Sequence, residues 1–216
     1  MLYLSRLILN PCSRQVQAEL RAPYEMHRTL AKAFGEGEEA QTAARCLFRV
    51  EESPQGALTV LVQSRTEPLW ERMTTPTDYL QEPPQTKPFT PCFRAGQPFA
   101  FRLRANPTKR LPHPDANEPA AGRRTGNRVG LYTDEERLTW LSRKASESGF
   151  TLCSVTQTSE VSPDCQAKGR RAVFSAARFE GVLRVTDPTL LSESLSKGIG
   201  AGKGFGFGLL SLAPIK

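Results

Sequence analysis

Between residues 99 and 105 apolar and charged positions alternate: Phe99, Phe101, Leu103 and Ala105 point one way, Arg102 and Arg104 the other. A period of two over that length predicts a strand with one buried face, ended by Pro107. Residues 2–10 are apolar on both faces around Arg6, which predicts a strand central in its sheet. Residues 46–50 and 58–63 are β-rich runs flanking Ser53-Pro54-Gln55-Gly56, a hairpin signal. Residues 82–91 hold Pro83, Pro84, Pro88 and Pro91 and read as a linker or an irregular edge.

Helical periodicity governs residues 21–34. Pro23 suits a first helical position and Glu25 complements the positive helix end. At about 100° per residue, Met26, Leu30, Ala33 and Phe34 share a buried arc. His27 falls at the edge of that arc, with Tyr24 one turn before it and Arg28 and Lys32 further round. Thr133-Asp134-Glu135-Glu136 is a capping box opening a helix that stops before Gly149. Residues 150–156 and 172–186 read as strands joined by a Lys168-Gly169-Arg170-Arg171 tip. Asp187-Pro188 starts a last helix that Gly198 stops, and a glycine-rich loop, 198–208, leads into an apolar strand at 209–213. Residues 111–128 lack periodicity and read as a mobile loop carrying Arg123, Arg124 and Arg128 just after Arg110.

The second half thus runs strand, helix, strand, strand, helix, strand, and the first half opens in the same order before becoming obscure. An α+β chain of two tandem ferredoxin-like βαββαβ domains, 1–95 and 96–216, divided near Gly96-Gln97-Pro98, accounts for both.

Composition then narrows the function. A chain of 216 residues with 38% hydrophobic and 24% charged content is ordinary for a folded protein, but its net charge of +7 favours an anionic partner. Five scattered cysteines with no C-x-x-C spacing argue against a disulfide framework and a structural zinc site. Residues 1–10 are too short to span a bilayer, carry Arg6 and lack a cleavage site, so we expect no signal peptide, no membrane partner and a cytoplasmic protein.

Gly198 and the pair Gly202-Lys203 are one residue too close for a phosphate-binding P-loop, and Gly204 replaces the hydroxyl such a loop needs. The loop also follows a helix and precedes a strand, the reverse of a dinucleotide-binding turn. What remains is a chain of amides with one cation, Lys203, able to lie close to a phosphodiester or simply to pack tightly. Arg102 and Arg104 read equally as an exposed face paired with carboxylates, and the basic tip as a solvated hairpin. Together with the Arg-rich loop, however, they favour nucleic acid. No His, Cys or carboxylate cluster has metal-ligand spacing, and no cofactor is expected. RNA carries its own nucleophile, so a histidine, a tyrosine hydroxyl and a cation suffice to move the protons and stabilise a phosphorane. His27 has that company; His113, among prolines, reads as surface.

The segments Leu2-Tyr3-Leu4-Ser5-Arg6, Tyr24-Glu25-Met26-His27-Arg28, Phe101-Arg102-Leu103-Arg104-Ala105-Asn106-Pro107-Thr108-Lys109, Phe179-Glu180-Gly181-Val182-Leu183 and the glycine run from Gly198 to Gly208 occur in that order. In this the chain resembles the CasE family, the CRISPR repeat-processing endoribonucleases of the type I-E Cascade complex. The resemblance implies two ferredoxin-like folds and metal-independent cleavage at the 3′ base of the repeat stem-loop, leaving a 2′,3′-cyclic phosphate and a 5′-hydroxyl. It implies partners too: the repeat RNA hairpin, retained as product, and the other Cascade subunits. Tyr24 and His27 match the catalytic tyrosine and histidine, and Lys32 a helper cation. The tip of Lys168, Arg170 and Arg171 matches a hairpin that enters the RNA major groove. Arg28, Arg102, Arg104, Lys109, Gly200, Gly202 and Lys203 are expected to hold RNA. Gly204 stands where relatives more often carry alanine or serine. A non-catalytic RNA-hairpin-binding subunit is the alternative, with His27 only structural.

Overall fold

The computed structural model describes residues 1–111, 128–160, 165–167 and 170–215, with backbone alone at 165–167 and 170–172. His113, Arg123, Arg124, Lys168 and most of the expected Arg-rich loop lie outside the described residues.

Two four-stranded antiparallel sheets organise the chain. The first half supplies β1 (Leu2–Leu9), α1 (Arg14–Arg21), α2 (Pro23–Ala31), α3 (Glu38–Ala44), β2 (Leu47–Glu52), β3 (Leu58–Ser64) and β4 (Gln85–Phe89). Its strand order is β2-β3-β1-β4, so β1 is flanked on both sides, as its two apolar faces require. β4, which carries Pro88, forms an edge, where a missing N–H donor is tolerated.

The second half supplies β5 (Pro98–Ala105), β6 (Thr108–Arg110), β7 (Arg128–Gly130), α4 (Asp134–Glu147), β8 (Phe150–Ser159), β9 (Cys165–Ala167), β10 (Arg170–Ala172), β11 (Ala177–Val185), α5 (Pro188–Lys197) and β12 (Leu210–Pro214). Its sheet order is β12-β5-β11-β8. Numbered within its own half, each sheet reads 4-1-3-2, the arrangement a βαββαβ chain gives when its two outer crossovers pack on one face.

Local chemistry explains several boundaries. The Thr133 side chain accepts from the Glu136 N–H, and the Asp187 carboxylate accepts from the Thr189 and Leu190 N–H groups, so both helices start where their caps stand. In the first half the second crossover contains only a 3₁₀ turn, Trp70–Arg72, because Pro68, Pro76, Pro83 and Pro84 leave no uninterrupted helical stretch. The helix expected over 21–34 is shorter: Arg21 closes α1, and Lys32–Phe34 is a 3₁₀ turn. Neither α1 nor α3 was expected. In α1 only Val16 and Glu19 are buried, which leaves almost no apolar stripe. The expected strand over 172–186 is divided into β10 and β11 by residues 173–176.

Each half has its own core. Met26, Leu30, Ala33 and Phe34 sink into the first, as the helical period demands, with Leu7, Leu9, Phe48 and Val60. Phe99, Phe101, Leu103, Trp140, Phe150 and Phe179 fill the second. A buried carboxylate fixes α2 from behind: Glu19 accepts from the Thr29 hydroxyl at 2.6 Å and the Tyr79 hydroxyl at 2.5 Å.

Side chains of the first half join the two sheets. Arg49 on β2 keeps only 4% of its side chain exposed. It donates to the Leu209 carbonyl at 3.1 Å and the Ser211 hydroxyl at 2.9 Å, and pairs with Glu51 at 2.6 Å. Gln63 donates to the Leu195 carbonyl at 2.7 Å, and Arg45 donates twice to the Lys197 carbonyl, at 2.9 and 3.0 Å. Removing Arg49 strands buried acceptors in both halves. Arg49→Ala is therefore expected to cost about 3–5 kcal/mol, read as a lower denaturation midpoint in urea; a loss within experimental error would show that Arg49 does not join the sheets.

Candidate active site

Pro23 occupies the first position of α2, Tyr24 follows it in the same turn, and His27, one turn on, stands beside Tyr24. Their rings stack with centroids 6.1 Å apart and planes 14° from parallel. Both are half-buried. The His27 ring lies 6.2 Å from that of Phe48 on β2, and Tyr24 lies 5.5 Å from Phe205 of the glycine loop. Burial lowers the His27 pKa below the ordinary imidazole value, which favours the neutral ring.

The cover over this pair comes from the other half of the chain. After α5 the glycine loop makes a 3₁₀ turn, Lys203–Phe205, bounded by Gly202 and Gly206, both left-handed at φ 80° and 78°. That turn sets Gly204 against α2: a Cβ placed there would lie 3.7 Å from both the His27 and the Tyr24 ring. Beneath it, Phe174 packs on Phe205 at 4.5 Å and on Phe207 at 5.3 Å. The Arg104 guanidinium lies 4.5 Å over the Phe207 ring, a cation–π support.

The remaining expected residues are distributed around this centre. Lys203 bends back to donate to the Gly200 carbonyl at 2.5 Å; burial first, then Arg45, Lys144 and Arg128, push its ammonium down to about 8. Lys32 is exposed just past α2. Arg28 is exposed and pairs with Glu25 at 2.9 Å, and Lys109 pairs with Glu136 at 3.2 Å. Arg170 and Arg171 stand on β10, paired with Ala167 and Gln166 of β9, and Cα atoms of β9 approach α2 within 8 Å. One strand of this hairpin, β9, therefore runs beside α2.

On β5 the arginines have carboxylate partners. Arg102 pairs with Glu51 at 2.6 Å and also with Glu180, while Arg104 pairs with Glu160 at 2.5 Å. They form one wall of a groove of about 970 Å³ running past Pro23, Met26, Phe48 and Phe205. Sequence reasoning missed the aromatic supports Phe48, Phe174 and Phe205; only the alternation of Phe205 and Phe207 with glycine hinted at them. Among the described residues no three His, Cys, Asp or Glu side chains converge as metal ligands would.

Comparison with known proteins gives a consistent result. A family model described as CRISPR associated protein matches residues 2–214. The CRISPR-associated endoribonuclease Cse3 of Thermus thermophilus is 40% identical over 228 residues, covering 99% of this chain and 100% of the relative. The CRISPR system Cascade subunit CasE of Escherichia coli is 32% identical over 216 residues, covering 99% and 100%. The structure of Thermus thermophilus Cse3 bound to an RNA representing a pre-cleavage complex superposes with a TM-score of 0.83 at 40% identity, covering 99% of both chains.

Two outcomes follow from the geometry. In an NMR pH titration, with His27→Asn used to assign the resonance against His113, the His27 ring should titrate below the ordinary imidazole value; a midpoint at or above it would contradict the burial argument. Gly202→Ala should destabilise the fold by about 1–2 kcal/mol from left-handed backbone alone, plus a 2.9 Å approach to the Phe207 ring. Gly204→Ala, meeting only ordinary contacts, should leave urea unfolding nearly unchanged; equal losses would mean the loop is not held as described.

Proposed function

The chain belongs to the CRISPR-associated protein family that matches it from residue 2 to 214, and from that membership we propose a metal-independent endoribonuclease of CRISPR repeat RNA. It binds the repeat stem-loop, cuts at its 3′ base and stays with the mature RNA as a subunit of Cascade, working in the cytoplasm. Two ferredoxin-like domains, 1–95 and 96–216, divide the work: the first brings the reacting side chains, the second the loop and hairpin that hold RNA.

One observation carries this reading: a stacked imidazole and phenol, His27 and Tyr24, covered by Gly204 of the glycine loop. The RNA 2′-hydroxyl supplies the nucleophile. Neutral His27 takes its proton as the 2′-oxygen attacks phosphorus. The bond to the 5′-oxygen breaks, and that oxygen takes a proton from the Tyr24 hydroxyl. The products are a 2′,3′-cyclic phosphate and a 5′-hydroxyl, and water returns the protons to their starting groups. Lys32 offsets the charge that develops on the phosphorane.

The RNA is held by Lys168, Arg170 and Arg171 of the hairpin, by Gly200, Gly202 and Lys203 of the loop, and by Arg28 and Lys109 at the margins. Arg102 and Arg104 contribute once phosphates compete with their carboxylates. Phosphate contacts of this kind make affinity salt-dependent.

Single-turnover cleavage of a repeat hairpin in EDTA tests the proposal. His27→Ala should slow it roughly 10²–10⁴-fold while hairpin affinity stays near that of the parent. A 2′-deoxy nucleotide 5′ to the cut should abolish it. Unchanged cleavage by His27→Ala would remove His27 from the chemistry, and an absence of cleavage by the parent chain would leave only the RNA-binding subunit.

A further inference from the structure

Two groups of basic side chains differ in how their charge is met. On the sheets four arginines face carboxylates: Arg49 meets Glu51, Arg102 meets Glu51 and Glu180, and Arg104 and Arg178 share Glu160. Around the start of the glycine loop the pattern reverses. Arg45 bonds only the Lys197 carbonyl, Arg65 the Ser196 hydroxyl at 2.9 Å and Lys203 the Gly200 carbonyl. Among the described residues none of these three has a carboxylate within ion-pair distance. Three cations from three segments therefore converge on neutral acceptors within the five-residue stretch 196–200. Their mutual repulsion is felt: Arg45 is lowered by burial and by Arg65, and Lys203 by burial and then by Arg45.

The negative end of α5 offsets part of this charge, but like charges gathered with no carboxylate among them still repel. A fold that keeps them there is arranged for an anion that arrives from outside. The same loop runs on, four residues past Gly200, to Gly204 against the His27 and Tyr24 rings. An RNA strand leaving that edge along the loop would place its phosphates over these cations.

We propose that Arg45 and Arg65, together with the loop cation Lys203, form a phosphodiester-binding site for single-stranded RNA flanking the cut. The inference rests on the endoribonuclease reading above and adds residues 45 and 65, which neither the sequence patterns nor the catalytic geometry had singled out. The stem-loop gives the enzyme its address, and this site grips the strand that runs off the stem and keeps the scissile phosphate seated on His27.

Binding of two non-cleavable RNAs separates the outcomes. One is the repeat stem-loop alone and the other carries about six unpaired nucleotides on each side, with a 2′-deoxy nucleotide at the cut. The parent should bind the extended RNA more tightly and with a steeper dependence of affinity on salt. Arg45→Gln and Arg65→Gln should each remove part of that gain, flattening the log–log salt slope by about 0.7 per lost single-strand phosphate contact, with stem-loop affinity unchanged. Arg65 is exposed and bonds only Ser196, so Arg65→Gln remains informative where Arg45→Gln, which also holds α5, unfolds. A folded Arg65→Gln variant with the parent's slope on the extended RNA would overturn the site. So would equal losses on both RNAs. A parent that binds neither RNA would overturn the endoribonuclease reading itself, a result distinct from either.

Discussion

The C-terminal end of α5 is where this structure is joined. Its last carbonyls, which no helix can satisfy internally, are taken by Gln63 and Arg45 of the first half. The chain leaves that end as the glycine loop, so the anchoring decides where the loop lies. It lies across α2, and the imidazole and phenol that α2 presents acquire a cover they could not obtain from their own half. Arg49 repeats the device one strand away, reaching the carbonyl of Leu209 just after the loop. Both ends of the loop are thus held by first-half side chains.

That covering changes the chemistry of what lies under it. An imidazole in water is partly protonated near neutrality; in the same ring packed between Phe48 and the loop turn, burial lowers the pKa and favours the neutral form. Behind it, Glu19 grips Thr29 and Tyr79 and so fixes α2 from the opposite side. The charges around the groove follow the same division of labour. Arginines that must stay folded against the sheets are matched by Glu51, Glu160 and Glu180, while Arg45, Arg65 and Lys203 beside the loop meet neutral acceptors.

What could be read from the sequence was whatever depended on near neighbours. The alternation of β5, the Thr133 cap, the Asp187 cap and the Gly198 stop are decided within a few residues, and the structure reproduces them. That Tyr24 and His27 stand side by side was legible because three residues is close to one helical turn. The helix α1 was not, since one of its two buried positions is Glu19, whose partners Thr29 and Tyr79 come from later in the chain. The strand carrying Arg102 and Arg104 was predicted correctly, but the carboxylates that hold them come from β2, β11 and the end of β8, and no local pattern announces such pairs. Phe205 belongs to the site only because the loop folds over α2.

The central claim is that a half-buried His27, in its neutral form, accepts the proton that starts the reaction. Its most direct test is the pH dependence of the single-turnover cleavage rate, measured in EDTA on a repeat hairpin. The account predicts a rate that rises with pH in proportion to the deprotonated ring. It levels at an inflection below the ordinary imidazole value, and that inflection disappears in His27→Gln. A rate that falls as pH rises through that range, or an inflection that survives the substitution, would contradict it.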